Sequence, residues 1–218
     1  MQEIVKNIED KKRERYKSIK WCNKILPQTL KDYQFQYNYQ KPLKLFFMDE
    51  MRFGLISNYR RSWSKVGERT VIANQQEYSN RYLYSAIDPI KGDNFHLIGF
   101  NYINSLTTKI FLEELKKRYS NYHLIVIWDR APFHRKKELY EIEGITPYFL
   151  PSYSPELNPV ERFFGEIRKA TANRIFKDIV IQEEIISNEV VLWINDRERV
   201  KRLCGYSWIL EQWRMLGV

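Results

Sequence analysis

Cysteine is nearly absent from this chain: its 218 residues hold two, Cys22 and Cys204, far apart and outside any CxxC pair. A disulfide-built fold and a thiolate zinc site are therefore unsupported, and both thiols read as reduced and structural. There is no GxxxxGK phosphate loop, which argues against a nucleoside triphosphatase. Neither an HExxH string nor a serine in a nucleophile-elbow context is present, so hydrolases of those kinds are unsupported too. No uninterrupted apolar run approaches the roughly 20 residues of a membrane span. The opening MQEIVKNIEDKKRERYK has no apolar stretch behind its basic residues and is not a secretory signal. A cytoplasmic, nucleoid-associated protein is expected. Internal repeats and low-complexity segments are also lacking.

What is present is positive charge. Lys and Arg outnumber Asp and Glu by 36 to 27, a formal net charge of +9, which favours a polyanionic partner such as nucleic acid. The length suits one core domain with peripheral extensions. Residues 1–40 are polar and read as a helical arm and linker, with Ile4, Ile8, Tyr16 and Ile19 in partial helical spacing. From residue 41 the pattern changes. Strands are expected at Lys44–Met48, Phe53–Ser57 with Thr70–Ala73, Arg81–Ile87 and Asn94–Tyr102, separated by turn signals such as Asp88-Pro89. A helix from Ser105 to about Tyr119 follows, then the strand Leu124–Trp128, a short helix over His134–Tyr140 and the strand Ile145–Leu150. Helices over Pro159–Arg174 and Gln182–Asn195 complete a domain reaching residue 200, with 201–218 as a C-terminal extension. The all-apolar run LIVIW implies cover on both sheet faces, and the order of elements implies an α/β fold with a mixed sheet of about five strands.

Three apolar or well-punctuated segments end on acids: Asp49 after LKLFFM, Asp129 after HLIVIW, and Glu161 in the first turn behind LPSYSPELNPV. Strand ends are where sites form in such sheets, and a helix laid against that edge would add Glu161. Carboxylates crowded in this way raise one another's pKa unless a cation sits between them, which implies a divalent metal. Mg²⁺ suits an all-oxygen site, and a pair of ions would serve phosphodiester chemistry. Each acid also has an ordinary structural role available. Asp49 and Asp129 fit as turn caps, and Glu161 fits as a capping-box acid satisfying the Asn158 amide. The residues alone leave both roles open.

The strings FFMDEMRFGL, VIWDRAPFHR and LPSYSPELNPVERFFGEIRK resemble the three blocks of DDE transposases of the mariner-related insertion-sequence superfamily. The Pro-x-Tyr-Ser-Pro-x-Leu-Asn-Pro-x-Glu string is the most specific of them. Trp63 and Gly67 in RRSWSKVGERT are similar to the hairpin that follows the first acid. The resemblance implies a ribonuclease H-like core, Asp49, Asp129 and Glu161 as the three metal-holding acids, and two Mg²⁺ ions for which Mn²⁺ substitutes. It implies hydrolytic nicking at transposon ends, then attack of the freed 3′-hydroxyl on target DNA, with water and that hydroxyl as successive nucleophiles. A ribonuclease H or a junction-resolving nuclease would share the metals but not the last string. Asp129-Arg130-Ala131 stands where the family commonly has Asp-Asn-Ala, and 31 residues separate Asp129 from Glu161, a little short of the usual spacing. Since 48 residues precede Asp49, the helix-turn-helix region that reads element ends is expected on a separate partner protein. The alternative is a catalytically impaired or co-opted DNA-binding relative.

Double-stranded DNA is the expected partner, bound by a homodimer. Arg52, Arg60, Arg61, Lys65 and Arg69 around Trp63 suit a phosphate backbone. Arg162, Arg168 and Lys169 flank Glu161, and Arg130 and His134 follow Asp129. A solvated basic face and a helix-start histidine are the plainer readings of these residues. Glu50 is expected on the strand face opposite Asp49, and Glu166 lies well around the helix from Glu161.

Overall fold

The computed structural model describes residues 16–37, 41–69 and 71–214. The arm expected before residue 16, with Ile4 and Ile8, and Thr70 of an expected strand lie outside the described residues. A π-turn, Trp21–Ile25, leads into α1 (Leu26–Tyr37). The chain then forms β1 (Leu43–Ile56), β2 (Gln76–Ile87), β3 (Asn94–Phe100), α2 (Ser105–Arg118), β4 (His123–Trp128), β5 (Ile145–Phe149), α3 (Val160–Thr171), α4 (Ile179–Ile194), α5 (Arg197–Cys204) and α6 (Ser207–Arg214).

The strands make one sheet in the order β3-β2-β1-β4-β5. β2 pairs antiparallel with β1 and β3, whereas β4 pairs parallel with β1 and β5, so the sheet is mixed as expected. Alternation along the strands divides the core in two. Phe46, Met48, Tyr84, Val126 and Trp128 face Phe111, Leu112 and Leu115 of α2. Leu45, Phe47, Ile125 and Ile127 face Leu26, Phe163, Ile167, Trp193, Val200 and Ile209 from the other helices. Every position of β4 is buried for this reason. Each fully buried large apolar side chain is worth about 1.5–3 kcal/mol.

Local chemistry fixes the element ends. Asn104 accepts from the Thr107 amide while the Thr107 hydroxyl accepts from the Asn104 amide, a closed capping box at the start of α2. Lys116, Lys117 and Arg118 in its last turn complement the helix dipole.

Several expectations need correction. Phe53–Ser57 is no separate strand: β1 continues to Ile56, and residues 71–75 form no strand. The hairpin seen in the sequence is instead the β1–β2 ribbon capped by a long loop, closed at its base where the Ser57 amide donates to Gln75 at 2.9 Å. A helix over 134–140 is replaced by two 3-10 turns, Pro132–Arg135 and Lys137–Leu139, because Pro132 begins a segment too short for an α-helix between β4 and β5. Finally, α5 crosses the expected boundary at residue 200, and Val200, Cys204, Ile209 and Trp213 pack with the arm residues Trp21, Cys22, Leu26 and Leu30 in a single core.

Candidate active site

β1 and β4 run parallel with Phe47 beside Ile127. Two residues further along each strand the same register carries the chain to Asp49 and Asp129. α3 approaches that edge because Asn158, 2% exposed, stitches it to β1. Its Nδ2 donates to the Met48 carbonyl at 3.0 Å and to Asp49 Oδ2 at 3.2 Å, while its Oδ1 accepts from the Val160 amide at 3.2 Å. Asp49, Asp129 and Glu161 consequently line one cleft of about 430 Å³, together with Arg130, Arg135 and the 150–155 loop.

The capping-box role of Glu161 does not survive. The Asn158 amide donates to the Pro155 carbonyl at 3.0 Å, so it has no use for the Glu161 carboxylate. The residue before α3 is Pro159, and the side chain that caps the helix start is Asn158. Glu161 faces Arg168 at 3.8 Å, and its side chain is 43% exposed.

The electrostatics of the three acids differ. Burial, then the charge of Glu50, push the Asp49 carboxyl well above the usual carboxylate range; the Glu50 amide, donating at 2.9 Å, opposes this, while Glu161 and Asp129 add to the rise. Burial also acts to raise Asp129, but the His134 bond, the Ala131 amide at 2.9 Å and the charges of His134 and Arg135 outweigh it and hold this carboxyl below its ordinary value. Burial works against the charged form of His134, yet its bonds to Asp129 and Glu50 prevail and lift it to about 9.

His134 was nominated from the sequence as a DNA contact, and the place it takes in this arrangement is what the sequence did not disclose. It is fully buried, stacks flat on Trp128 with centroids 4.5 Å apart, and joins Asp129 Oδ1 through Nδ1 at 2.7 Å to Glu50 Oε1 through Nε2 at 3.1 Å. Glu50 does lie on the face opposite Asp49, its side chain 5% exposed, and reaches the site only through this imidazole. The expectation that His134 contacts DNA is therefore corrected: with no exposed surface and both ring nitrogens taken, it acts on Asp129. Arg135, at the cleft, and Asn158, bonded to Asp49, were not nominated from the sequence as site residues, although both sit within the quoted strings.

The nominated cations fall into two groups. Arg61, Lys65 and Arg69 are exposed on the loop around Trp63, which is itself fully exposed. Others are tied down. Arg60 donates to the Gly165 carbonyl at 2.8 Å and its backbone is clasped by Asn173, so it anchors the loop to α3 rather than projecting from it. Arg52 donates to Asn80, Arg130 to the Leu150 carbonyl and Arg162 to the Leu203 carbonyl, the last lying over the Tyr206 ring. Arg168 faces Glu161, and Lys169 pairs with Glu166 at 2.5 Å. Among the described residues no three His, Cys, Asp or Glu side chains are gathered closely enough to hold a metal ion between them. Glu161, its side chain 43% exposed, has room to turn toward Asp49, whereas Asp129 is held in place by the Ala131 amide and His134. No helix among the described residues is long and apolar enough to cross a membrane.

Comparison with known proteins bears on this geometry. A family model described as DDE superfamily endonuclease matches residues 44–180. The uncharacterized protein y4pE/y4sA of Sinorhizobium fredii is 32% identical over 114 residues, 51% of this chain and 82% of that protein. Two solved structures are similar in fold. The Mos1 transposase paired-end complex with left transposon end has a TM-score of 0.62 at 16% identity, over 94% of this chain and 61% of that one. The Mos1 mariner paired end complex with Mn has a TM-score of 0.61 at 17% identity, over 91% and 61%. The chain thus spans about three fifths of the length of those transposase chains. At such identities the likeness is one of fold, and the fold is the ribonuclease H-like one.

Proposed function

Because the chain belongs to the DDE superfamily endonucleases, we propose that it is the catalytic core of a transposase, which nicks DNA at the ends of a mobile element and joins the freed 3′-hydroxyl to target DNA. The observation that carries this reading is the meeting of three acids from β1, the end of β4 and α3 at one cleft in a basic chain.

Asp49, Asp129 and Glu161 would hold divalent metal, Mg²⁺ or in its place Mn²⁺, two ions in the complete arrangement. The donor set fits: it offers carboxylate oxygens, the nearby imidazole being already engaged, and Asp49 is crowded by acids whose repulsion a cation relieves. When bound, such ions bring an attacking oxygen to the phosphorus and take up charge on the leaving one. The chain's own residues do the rest. His134 favours the ionised form of Asp129 and, with the Ala131 amide, orients its Oδ1. Asn158 and the Glu50 amide hold one Asp49 oxygen each, which fixes that carboxylate in place. No side-chain nucleophile is required, since water and then the DNA 3′-hydroxyl attack.

Arg61, Lys65 and Arg69 on the exposed loop, with Arg52, Arg162, Arg168 and Lys169, would take the phosphate backbone; such contacts position DNA without reading it. A homodimer on DNA and a separate helix-turn-helix protein that recognises the ends complete the proposal, with the nucleoid as its place of action. A DNA-binding relative without catalysis finds less support, because all three acids remain and share one cleft. The deciding experiment incubates purified protein with labelled DNA carrying the inverted repeats that flank its gene, with Mg²⁺ or Mn²⁺, beside Asp129→Asn. Metal-dependent nicking by the native protein alone is expected. Equal behaviour of the two proteins would sink the reading.

A further inference from the structure

Tyr153 stands out among the cleft residues. It sits between Pro151 and Pro155 on the loop joining β5 to α3, in the left-handed region at φ 56°, a conformation that costs free energy for any residue with a bulky side chain. The next residue explains how it is held there. Ser154, 5% exposed, is fastened inward: its hydroxyl meets that of Ser18 at 3.0 Å and the Ser152 carbonyl at 3.3 Å. With Ser154 turned into the protein, Tyr153 is thrown outward and is 85% exposed. Among the described residues no ring stacks on it and no hydrogen bond engages its hydroxyl. An aromatic ring has thus been held, against its backbone preference, on the wall of the cleft that the three acids line, without any use inside the fold.

We propose that Tyr153 is a platform on which one unpaired DNA base stacks beside the phosphate to be cut. The inference rests on the reading of this cleft as a DNA-cutting site and names which form of DNA enters it. A ring offers a face, and inside a duplex both faces of every base are already covered by neighbours. Only a base at a frayed end or splayed out of the helix can use Tyr153. The surroundings suit a nucleotide: Arg130 and Arg135 line the same cleft and offer charge to its phosphates. Stacking on aromatics is tolerant of base identity, so the platform positions the strand without selecting its sequence.

The probe is a short duplex with one overhanging 2-aminopurine, followed by its fluorescence as protein is added in EDTA, where no cutting takes place. Wild-type protein and Tyr153→Phe should quench the probe. Tyr153→Ala should leave it bright and bind about tenfold more weakly, the scale of one lost base–aromatic stack. Tyr153→Gly separates ring from backbone: it should quench no better than Tyr153→Ala while melting no lower than wild type, since glycine is at ease at this φ. Equal quenching by Tyr153→Ala and wild type overturns the proposal. Wild-type protein given Mg²⁺ and labelled DNA carrying the inverted repeats that flank its gene reports separately on cutting. Quenching that depends on Tyr153 without any cutting keeps the platform and sinks the transposase reading, whereas cutting without such quenching sinks the platform alone.

Discussion

Asn158 is the side chain on which the site's geometry turns, and its removal has a calculable cost. It is 2% exposed and makes three hydrogen bonds, to the Met48 carbonyl, to Asp49 Oδ2 and from the Val160 amide. Asn158→Ala loses a helix cap, worth about 1 kcal/mol, and strips buried partners of a bond at about 1–3 kcal/mol more. The total is about 2–4 kcal/mol. In a domain of this size each kcal/mol moves the melting temperature by roughly 2–4 °C, so a fall on the order of 10 °C is expected by calorimetry in EDTA. Cutting should suffer more than stability, because Asp49 loses a restraint.

A second substitution makes the argument stricter. Asn158→Asp keeps the acceptor for the Val160 amide but turns the donor facing Met48 and Asp49 into an acceptor. The new carboxyl would be buried against an acid, so its folded-state pKa is raised above the unfolded one. For an acid the sign is then fixed: the folded state holds the proton more tightly, so stability is lost as pH rises and recovered as it falls. The difference from wild type should therefore shrink on acidification. An Asn158→Ala melt within about 2 °C of wild type, or an Asn158→Asp deficit that does not change with pH, would refute the reasoning.

Three further outcomes are expected. Lys44, 5% exposed, pairs with Asp88 at 2.7 Å and Asp93 at 2.6 Å; Asp93 also pairs with Arg197 at 2.7 Å, so Lys44→Met should cost about 3–5 kcal/mol in urea denaturation mainly by leaving buried Asp88 uncompensated, with recovery on adding Asp88→Asn. Burial alone would lower the Lys44 ammonium, but the two aspartates outweigh it and raise it, so its contribution should hold throughout neutral pH and fade only above 10.5. His134, raised to about 9 against an ordinary 6.5, should contribute stability that is complete below 6.5 and gone above about 9; calorimetry of wild type and His134→Gln in EDTA across that window checks it. Because Asp49 is held above the usual carboxylate range, metal and proton would compete for it, so the melting-temperature gain on adding Mg²⁺ should grow with pH and vanish in Asp49→Asn.

Much of the fold was legible because its signals are local. β4 is apolar at every position and buried at every position, a correspondence that follows from helices on both sheet faces. The start of α2 was readable from Ser105 because its cap lies within three residues of sequence. The β1–β2 ribbon was misread for a physical reason of the same kind. The charged residues Asp49, Glu50 and Arg52 interrupt the apolar run and the expected strands stop on either side of them, yet pairing with β2 continues from Phe47 through Gly54, where a Cβ would stand 2.5 Å from the Ser79 carbonyl oxygen across the ribbon. The C-terminal helices resisted assignment because their amphipathic turns gain meaning only against Trp21 and Leu26, at the other end of the chain.

The site divides along the same line. Three acids could be nominated because each ends or begins an element, and an element end is a feature of sequence. The chain of contacts that sets their charge could not be, since Glu50 and Asn158 reach their partners across 84 and 109 residues. Glu50 illustrates the point: strand alternation correctly removed it from the cleft, and that same removal places it where a buried histidine can connect it to Asp129. Alternation assigns a face, whereas His134 joins the two faces around the strand end. The consequence is chemical asymmetry among like carboxylates. Hydrogen bonds from His134 and the Ala131 amide outweigh burial and hold Asp129 below the usual carboxylate range, burial and the charge of Glu50 hold Asp49 above it, and the Glu161 side chain is 43% exposed. In the proposed metal-holding role, Asp129 would be the readiest of the three ligands, Asp49 would bind in competition with its proton, and Glu161 would have to turn toward the other two.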